Sequence, residues 1–404
     1  MKTFDDFTLD EKLAHFTDVG RRALHLWGLP DDSKMKLLNF TENATFLVTP
    51  PGSDEKTIMR VHRLDYTSHD SIMTEFAWIQ ALQKETDVSL ASPIPMLNGE
   101  LVATIHTDEL NEDRLVDCST FMPGKPPIDS SDGNGDVGAM IAKIEKIPDS
   151  ITLPLFKALA SAYAWYGSVN PKSHMTKEDR EMYQTVGHIM AEMHRQAEHW
   201  EKPSFYSRID WGFDGTFGEW NNFYGATYRS PQWLSEKEIT VLDEVKEEIR
   251  ERLALYGESP EHYGMIHSDL RTANLLKDGD TITVLDFDDC GMGFYMYDVA
   301  GAVALMEHRP DLKEIVDEIL KGYEPVRPLS EADKTEIPTF IMLRRIGMLQ
   351  SLICRIGCVA GGSGEACELT AEILEFYARG TVELAKKYLK AYGEPDMFFA
   401  AEAV

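Results

Sequence analysis

Short apolar and polar runs separated by turn residues fill the first third of the chain, and long stretches of helical periodicity fill the rest. Residues 44–48 and 57–61 are rich in β-branched and aromatic side chains. The segment Pro50-Pro51-Gly52-Ser53-Asp54 between them predicts a hairpin with a loop longer than the tightest turns. Between Ser68 and Lys84, Ile72, Phe76, Ile79 and Leu82 recur at helical spacing. Strand-like runs return at 101–106 and near 114–121. This part therefore reads as mixed β with one helix, closing a small lobe.

Residues 123–178 break the rhythm. Pro123-Gly124-Lys125-Pro126-Pro127 opens them, and Asp129-Ser130-Ser131-Asp132-Gly133-Asn134-Gly135 is loop chemistry before a short helix expected over 154–166. The segment reads as a connection enlarged by an insertion. Beyond it, Met182, Val186, Ile189, Met190, Met193 and Ala197 form one apolar stripe. Ser235-Glu236-Lys237-Glu238 is a capping box, followed by Ile239, Leu242, Val245, Ile249 and Leu253 and stopped by Gly257. Helices near 310–322, 330–358 and 366–390 finish the chain, with one short β segment at 281–287. No internal repeat is visible.

Composition narrows the class. At 404 residues with 43% hydrophobic content the chain is long enough for two lobes and builds a packed core. No apolar run of membrane-spanning length is evident, and the N-terminus Met1-Lys2-Thr3-Phe4-Asp5-Asp6 is acidic where a signal peptide would be basic. The five cysteines have no paired metal spacing, and Cys354 and Cys358 lie in an apolar helical run; they read as reduced thiols of a cytoplasmic protein. Forty basic against sixty-eight acidic residues leave a net charge of −28, which repels nucleic acid and anionic lipid. Such a surplus chiefly keeps a protein soluble, and it also tolerates a cationic substrate.

The chemistry concentrates between Gly264 and Asp298. His267-Ser268-Asp269-Leu270-Arg271-Thr272-Ala273-Asn274 supplies a carboxylate and an amide oxygen from one tight loop. Val284-Leu285-Asp286-Phe287-Asp288 then supplies further carboxylates after a β segment. Phosphoryl transfer from ATP needs a divalent cation on hard oxygen ligands and a carboxylate beside the attacking hydroxyl. Asp286 lies twelve residues after Asn274, enough chain for a hairpin that brings them together. Asn274 and Asp286 would then hold Mg2+ while Asp269 faces the substrate.

These segments, with Asp286-Phe287-Asp288-Asp289-Cys290-Gly291 and Tyr297-Asp298-Val299-Ala300, resemble the aminoglycoside phosphotransferase and choline kinase superfamily, especially its homoserine-kinase-like and stress-response-kinase-like members. The resemblance implies that Asp269 is the catalytic base and that Asn274 and Asp286 bind the metal. His267 would brace the loop, and Asp298 would hold it from a helix start. Arg271 stands where protein kinases carry a lysine near the transferred phosphoryl group, and a cation there would neutralise transition-state charge. Asn43, in 40–46, would belong to the loop covering ATP. Arg60 stands where relatives place a phosphate-binding lysine, with Glu75 as its partner; arginine is a wider, planar donor and not an equivalent replacement. The run 117–124, with Ser119 and Phe121, resembles the hinge whose backbone pairs with adenine.

Two other signals are set aside. Gly133-Asn134-Gly135-Asp136-Val137-Gly138 matches a dinucleotide fingerprint by letter, but it follows loop instead of a strand and carries Asp132 and Asp136 beside it. His188, His194 and His199 are spaced six and five apart, not the four that aligns two imidazoles, and read as packing or surface residues. The expected molecule is a bilobal α+β protein-kinase-like enzyme. It has a nucleotide-binding lobe to residue 122, an insertion over 123–178 and a helical lobe over 179–404. It would move the γ-phosphoryl group of ATP to a small hydroxyl compound, with an amine-bearing acceptor favoured. A protein serine/threonine kinase and a nucleotide-binding pseudoenzyme are the rivals.

Overall fold

The computed structural model describes residues 4–40, 43–64, 67–127, 175–218, 227–355, 359–362, 367–368, 371–391 and 394–400. The helix expected over 154–166, the glycine run 133–138 and Cys358 lie outside the described residues.

A seven-stranded sheet forms the first layer, built mainly from β1 (Lys34–Phe40), β2 (Asn43–Thr49), β3 (Thr57–His62), β5 (Val102–Thr107) and β6 (Glu112–Thr120). Its order runs β1-β2-β3-β6-β5, and the expected hairpin is β2–β3. Two short strands from far along the chain, β12 (Val359–Gly362) and β13 (Cys367–Glu368), extend the β1 edge. The expectation of one helix in the first third is corrected to two. Helix α1 (Leu9–Ala23) carries a capping box between Thr8 and Glu11 and lays Phe16, Val19 and Ala23 against Phe46, Met59 and Val61 of the sheet. Its signal, Thr-Leu-Asp-Glu before an apolar stripe, was present in the sequence.

Helix α2 (His69–Glu85), capped by Ser68, belongs to the larger core. Its Trp78 packs edge-on against Phe287 at 5.6 Å and donates to Gln196 Oε1 at 3.0 Å, so the helix bearing Glu75 is fixed to the segment that follows Asp286. That core is made by α3 (Lys177–Ala197), α5 (Glu236–Tyr256), α6 (Tyr295–Ala302), α7 (Leu312–Tyr323), α8 (Glu331–Arg355) and α9 (Ala371–Ala391). Two short helices, α4 (Phe213–Phe217) and α10 (Pro395–Phe399), complete it. Helices α3 and α7 approach through glycine: a Cβ on Gly187 would sit 1.9 Å from Ile319 O, and one on Gly322 would sit 1.8 Å from Gln184 O.

The single β segment expected in this half is also corrected. Strands β4 (Ser89–Leu90), β10 (Thr281–Val284) and β9 (Leu275–Asp278) form one small sheet, and β7 (Ile209–Asp210), β11 (Gly291–Phe294) and β8 (Tyr263–Ile266) form another. Strands of two to four residues are too short to show alternation in the sequence. Helix α8 is long and apolar enough to cross a membrane by composition, but 78% of its apolar window is buried. It is a core helix.

Candidate active site

The two small sheets present the 267–274 loop and the segment around Asp286 to each other. Strand β8 delivers residues 267–274, the β9–β10 hairpin turns at Gly279 (φ 58°), and the chain returns to Asp286. His267 closes this circuit: its Nε2 donates to Leu285 O at 2.9 Å and its Nδ1 accepts from Asp269 N at 3.3 Å. Burial pushes the imidazole below its usual pKa, so it stays neutral, as that pair of bonds requires. Ser268 (φ 68°) and Asp286 (φ 61°) both adopt the left-handed region, which costs a non-glycine residue about 1–2 kcal/mol. Ser268 is held there by Asp298, on α6. The Asp298 carboxylate accepts from Ser268 N at 2.6 Å, from His267 N at 3.0 Å and from His194 Nε2 at 3.0 Å, and His194 Nδ1 accepts from Tyr323 Oη at 2.9 Å.

Asp269 therefore sits at a fixed point. Its Oδ1 accepts from Arg344 Nη2 at 2.6 Å and Arg271 Nε at 2.9 Å, and its Oδ2 accepts from Asn274 Nδ2 at 2.8 Å and Arg271 Nη2 at 3.3 Å. Burial opposes ionisation of this carboxyl, but the two guanidiniums outweigh it and hold the group well below the usual carboxylate range. Asn274 Nδ2 donates to Asp269 O as well, at 2.9 Å, so its two amide hydrogens are used and its Oδ1 is the acceptor end left to a cation. Asp286 behaves oppositely. Burial first, then the negative charge of Asp288, Asp289 and Asp269, pushes its carboxyl well above the usual range, with only partial relief from Arg60. Among the described residues no three His, Cys, Asp or Glu side chains converge as a self-sufficient metal site. An amide oxygen and a strained carboxylate in an over-negative pocket still fit Mg2+, which takes one or two protein oxygens and completes its shell with phosphate and water.

The strands above the loop meet it through one carboxylate. Arg60 on β3 pairs with Glu75 Oε1 at 2.9 Å, with Asp117 Oδ1 directly across the sheet at 3.1 Å, and with Asp288. Asn43, at the start of β2, also donates to Asp288. Asp288, one of the further carboxylates that follow Asp286, is thus committed to Arg60 and Asn43. Ser119 lies inside β6, opposite Ile58 and bridged to Pro93, whereas residues 121–124 lie in no strand. The ring of Phe121 carries Lys56 Nζ at 4.9 Å. Lys125 then pairs with Lys277 of β9, tying the segment after the sheet to the hairpin below.

Three supporting residues escaped the sequence reading. Arg344 comes from α8, 75 positions from Asp269. Arg208 ties helix α2 to the segment after Asp286, donating to Cys290 O at 2.5 Å, Phe287 O at 3.2 Å and Asp288 O on one side and to Ser71 Oγ at 3.0 Å on the other. His194, which reads from its spacing as a packing or surface residue, is buried and braces the 267–274 loop through Asp298. No local motif marks any of them.

Residues 156–332 match the model of the family described as "Phosphotransferase enzyme family". The fold resembles that of a microcompartment-associated aminopropanol kinase, with a TM-score of 0.71 and 29% identity over 93% of this chain and 98% of that one. Amicoumacin kinase of Bacillus subtilis (strain 168) is 21% identical over 348 residues, 83% of this chain and 84% of that protein. A solved amicoumacin kinase, hAmiN, in complex with AMP-PNP, Ca2+ and Ami, shares the fold at a TM-score of 0.62 and 19% identity over 93% and 96% of the two chains. The superfamily resemblance and the α+β kinase-like fold read from the sequence both hold.

Proposed function

We propose that this phosphotransferase moves the γ-phosphoryl group of ATP, bound with Mg2+, to a hydroxyl of a small amine-bearing molecule. The observation that carries this reading is a buried carboxylate, Asp269, held by hydrogen bonds on both oxygens beside an amide oxygen and a second carboxylate delivered by the β9–β10 hairpin. The metal, when bound, screens the phosphate charge and aligns the γ-phosphorus. Asp269 orients the attacking hydroxyl and receives its proton. Asn274 and Asp286 hold the cation, and Arg271 lies close enough to the base to meet charge on the transferred group. Arg60 and Asn43, now on Asp288, are the residues offered to the triphosphate, and the backbone after β6, from Ser119 to Phe121, is offered to adenine.

The aminopropanol kinase similarity supports an amino alcohol as acceptor, since that relative's name specifies one. The division at residue 122, with 123–178 as an insertion over the acceptor side, and a cytoplasmic location belong to the same proposal. Product mass after incubation with [γ-32P]ATP and Mg2+ tests it across aminopropanol, ethanolamine, choline, homoserine and aminoglycosides. A phosphorylated amino alcohol or hydroxy amino acid is expected, and phosphate transfer to protein serine alone would overturn it.

A further inference from the structure

We infer that Arg344 is a permanent positioning residue for Asp269 and that Arg271 is the partner that leaves when the acceptor arrives; this rests on the phosphotransfer reading above. A carboxylate offers about four lone-pair directions. Four donors hold those of Asp269: Arg344 Nη2 and Arg271 Nε on Oδ1, Asn274 Nδ2 and Arg271 Nη2 on Oδ2. A hydroxyl that is to give up its proton there must displace one of them.

The donors differ in how firmly they are held. Asn274 is buried, and its Nδ2 also bonds the Asp269 carbonyl at 2.9 Å. The Arg344 side chain is 2% exposed, rooted in the long core helix α8, and its guanidinium lies 5.9 Å from the ring centre of the buried Tyr297. It makes the shortest bond in the set, 2.6 Å. Arg271 is 29% exposed on a loop, and its Nη2 contact, at 3.3 Å, is the longest. Arg271 makes two of the four bonds, but it is the donor open to solvent, where water can replace those bonds when it parts from Asp269.

Departure of Arg271 does two things at once. It vacates a position on Oδ2 for the incoming hydroxyl, and it sends a guanidinium toward the charge that develops on the transferred phosphoryl group. The hydroxyl oxygen then bonds to the γ-phosphorus, the bond from that phosphorus to the bridging oxygen of ADP breaks, and the hydroxyl proton passes to Asp269 Oδ2 and later to water. Throughout, Arg344 on Oδ1 and Asn274 on Oδ2 keep the carboxylate plane from rotating. Without Arg344 the base stays present but is no longer aimed, and a displacement of about 1 Å costs on the order of a hundredfold in rate.

The test uses the full chain with Arg344→Met, Arg344→Lys and Asp269→Asn, singly and with Arg344→Met combined with Asp269→Asn. Turnover is followed on the fastest acceptor of the panel, water included. ATP·Mg affinity is measured by calorimetry and folding by thermal unfolding. Arg344→Met is expected to lower kcat about ten- to a hundredfold with ATP affinity within twofold, Arg344→Lys to recover most of it, and the double variant to be no slower than Asp269→Asn alone. Should the methionine variant not fold, Arg344→Gln carries the same comparison. A folded variant with wild-type kcat, or losses that multiply in the double variant, would overturn the inference while leaving phosphotransfer standing. Full turnover in Asp269→Asn would overturn both.

Discussion

Replacing Asp298 with asparagine tests how the fold aims the 267–274 loop that carries Asp269. The carboxylate is fully buried and serves three donors: Oδ1 takes Ser268 N, and Oδ2 takes His267 N and His194 Nε2. An amide has only one oxygen, so at least the Ser268 amide must face an NH2 group. One unsatisfied buried donor costs about 1–3 kcal/mol, and the charge assistance lost from the remaining bonds adds about 1 kcal/mol. Ser268 at φ 68° is the residue with most to gain by relaxing, and its relaxation swings Asp269, the next residue. The expected result is a stability loss of about 3 kcal/mol and a kcat reduction on the order of a hundredfold, with ATP affinity nearly unchanged. Equilibrium urea unfolding reads the first and steady-state turnover the second. A loss below about 1 kcal/mol, or turnover within about threefold of wild type in the folded variant, would show that Asp298 does not hold the loop.

Acidification should act on the same network. Burial lowers the pKa of His194 and of His267, so each contributes stability fully above the unfolded histidine value of about 6.5 and loses it as pH falls toward the folded value. The urea midpoint should drop between about pH 7.5 and 5.5, and His194→Gln should flatten that slope; an unchanged slope would remove His194 from the effect. Gly187→Ala should cost about 3 kcal/mol, because the new methyl meets the Ile319 carbonyl on α7 and neither helix backbone can yield cheaply. A melting temperature unchanged by that substitution would disprove the close approach. Asp286→Ala should weaken ATP binding in Mg2+ more than Asn274→Ala does, since a carboxylate carries formal charge and an amide does not; calorimetry with and without the metal decides, and affinities equal to wild type in both variants would remove Asp286 from the cation site.

Local signals in the sequence accounted for much of this molecule. The box at Ser235 and Glu238, the apolar stripe of α3 and the hairpin between Asn274 and Asp286 are all written within a few turns of chain. The box at Thr8 and Glu11, which starts α1, is equally local. What the sequence did not show is long-range. Arg344 reaches Asp269 across 75 positions, Arg208 reaches the Asp288 carbonyl across 80, and His194 reaches Asp298 across 104. Each belongs to a segment whose periodicity or loop character gives no hint of a partner. The short strands β7, β8 and β11 are defined by pairing alone. Asp288 was visible, but its direction was not: only the folded approach of β2 and β3 turns it to Asn43 and Arg60.

The most direct measurement is the turnover of Asp269→Asn beside wild type, with acceptor phosphorylation followed by product mass and ATP·Mg binding by calorimetry. If Asp269 is the base, the asparagine variant binds ATP·Mg normally and loses roughly 10²- to 10⁴-fold in kcat, the range for a positioned proton acceptor. Turnover within threefold of wild type in that variant would contradict it.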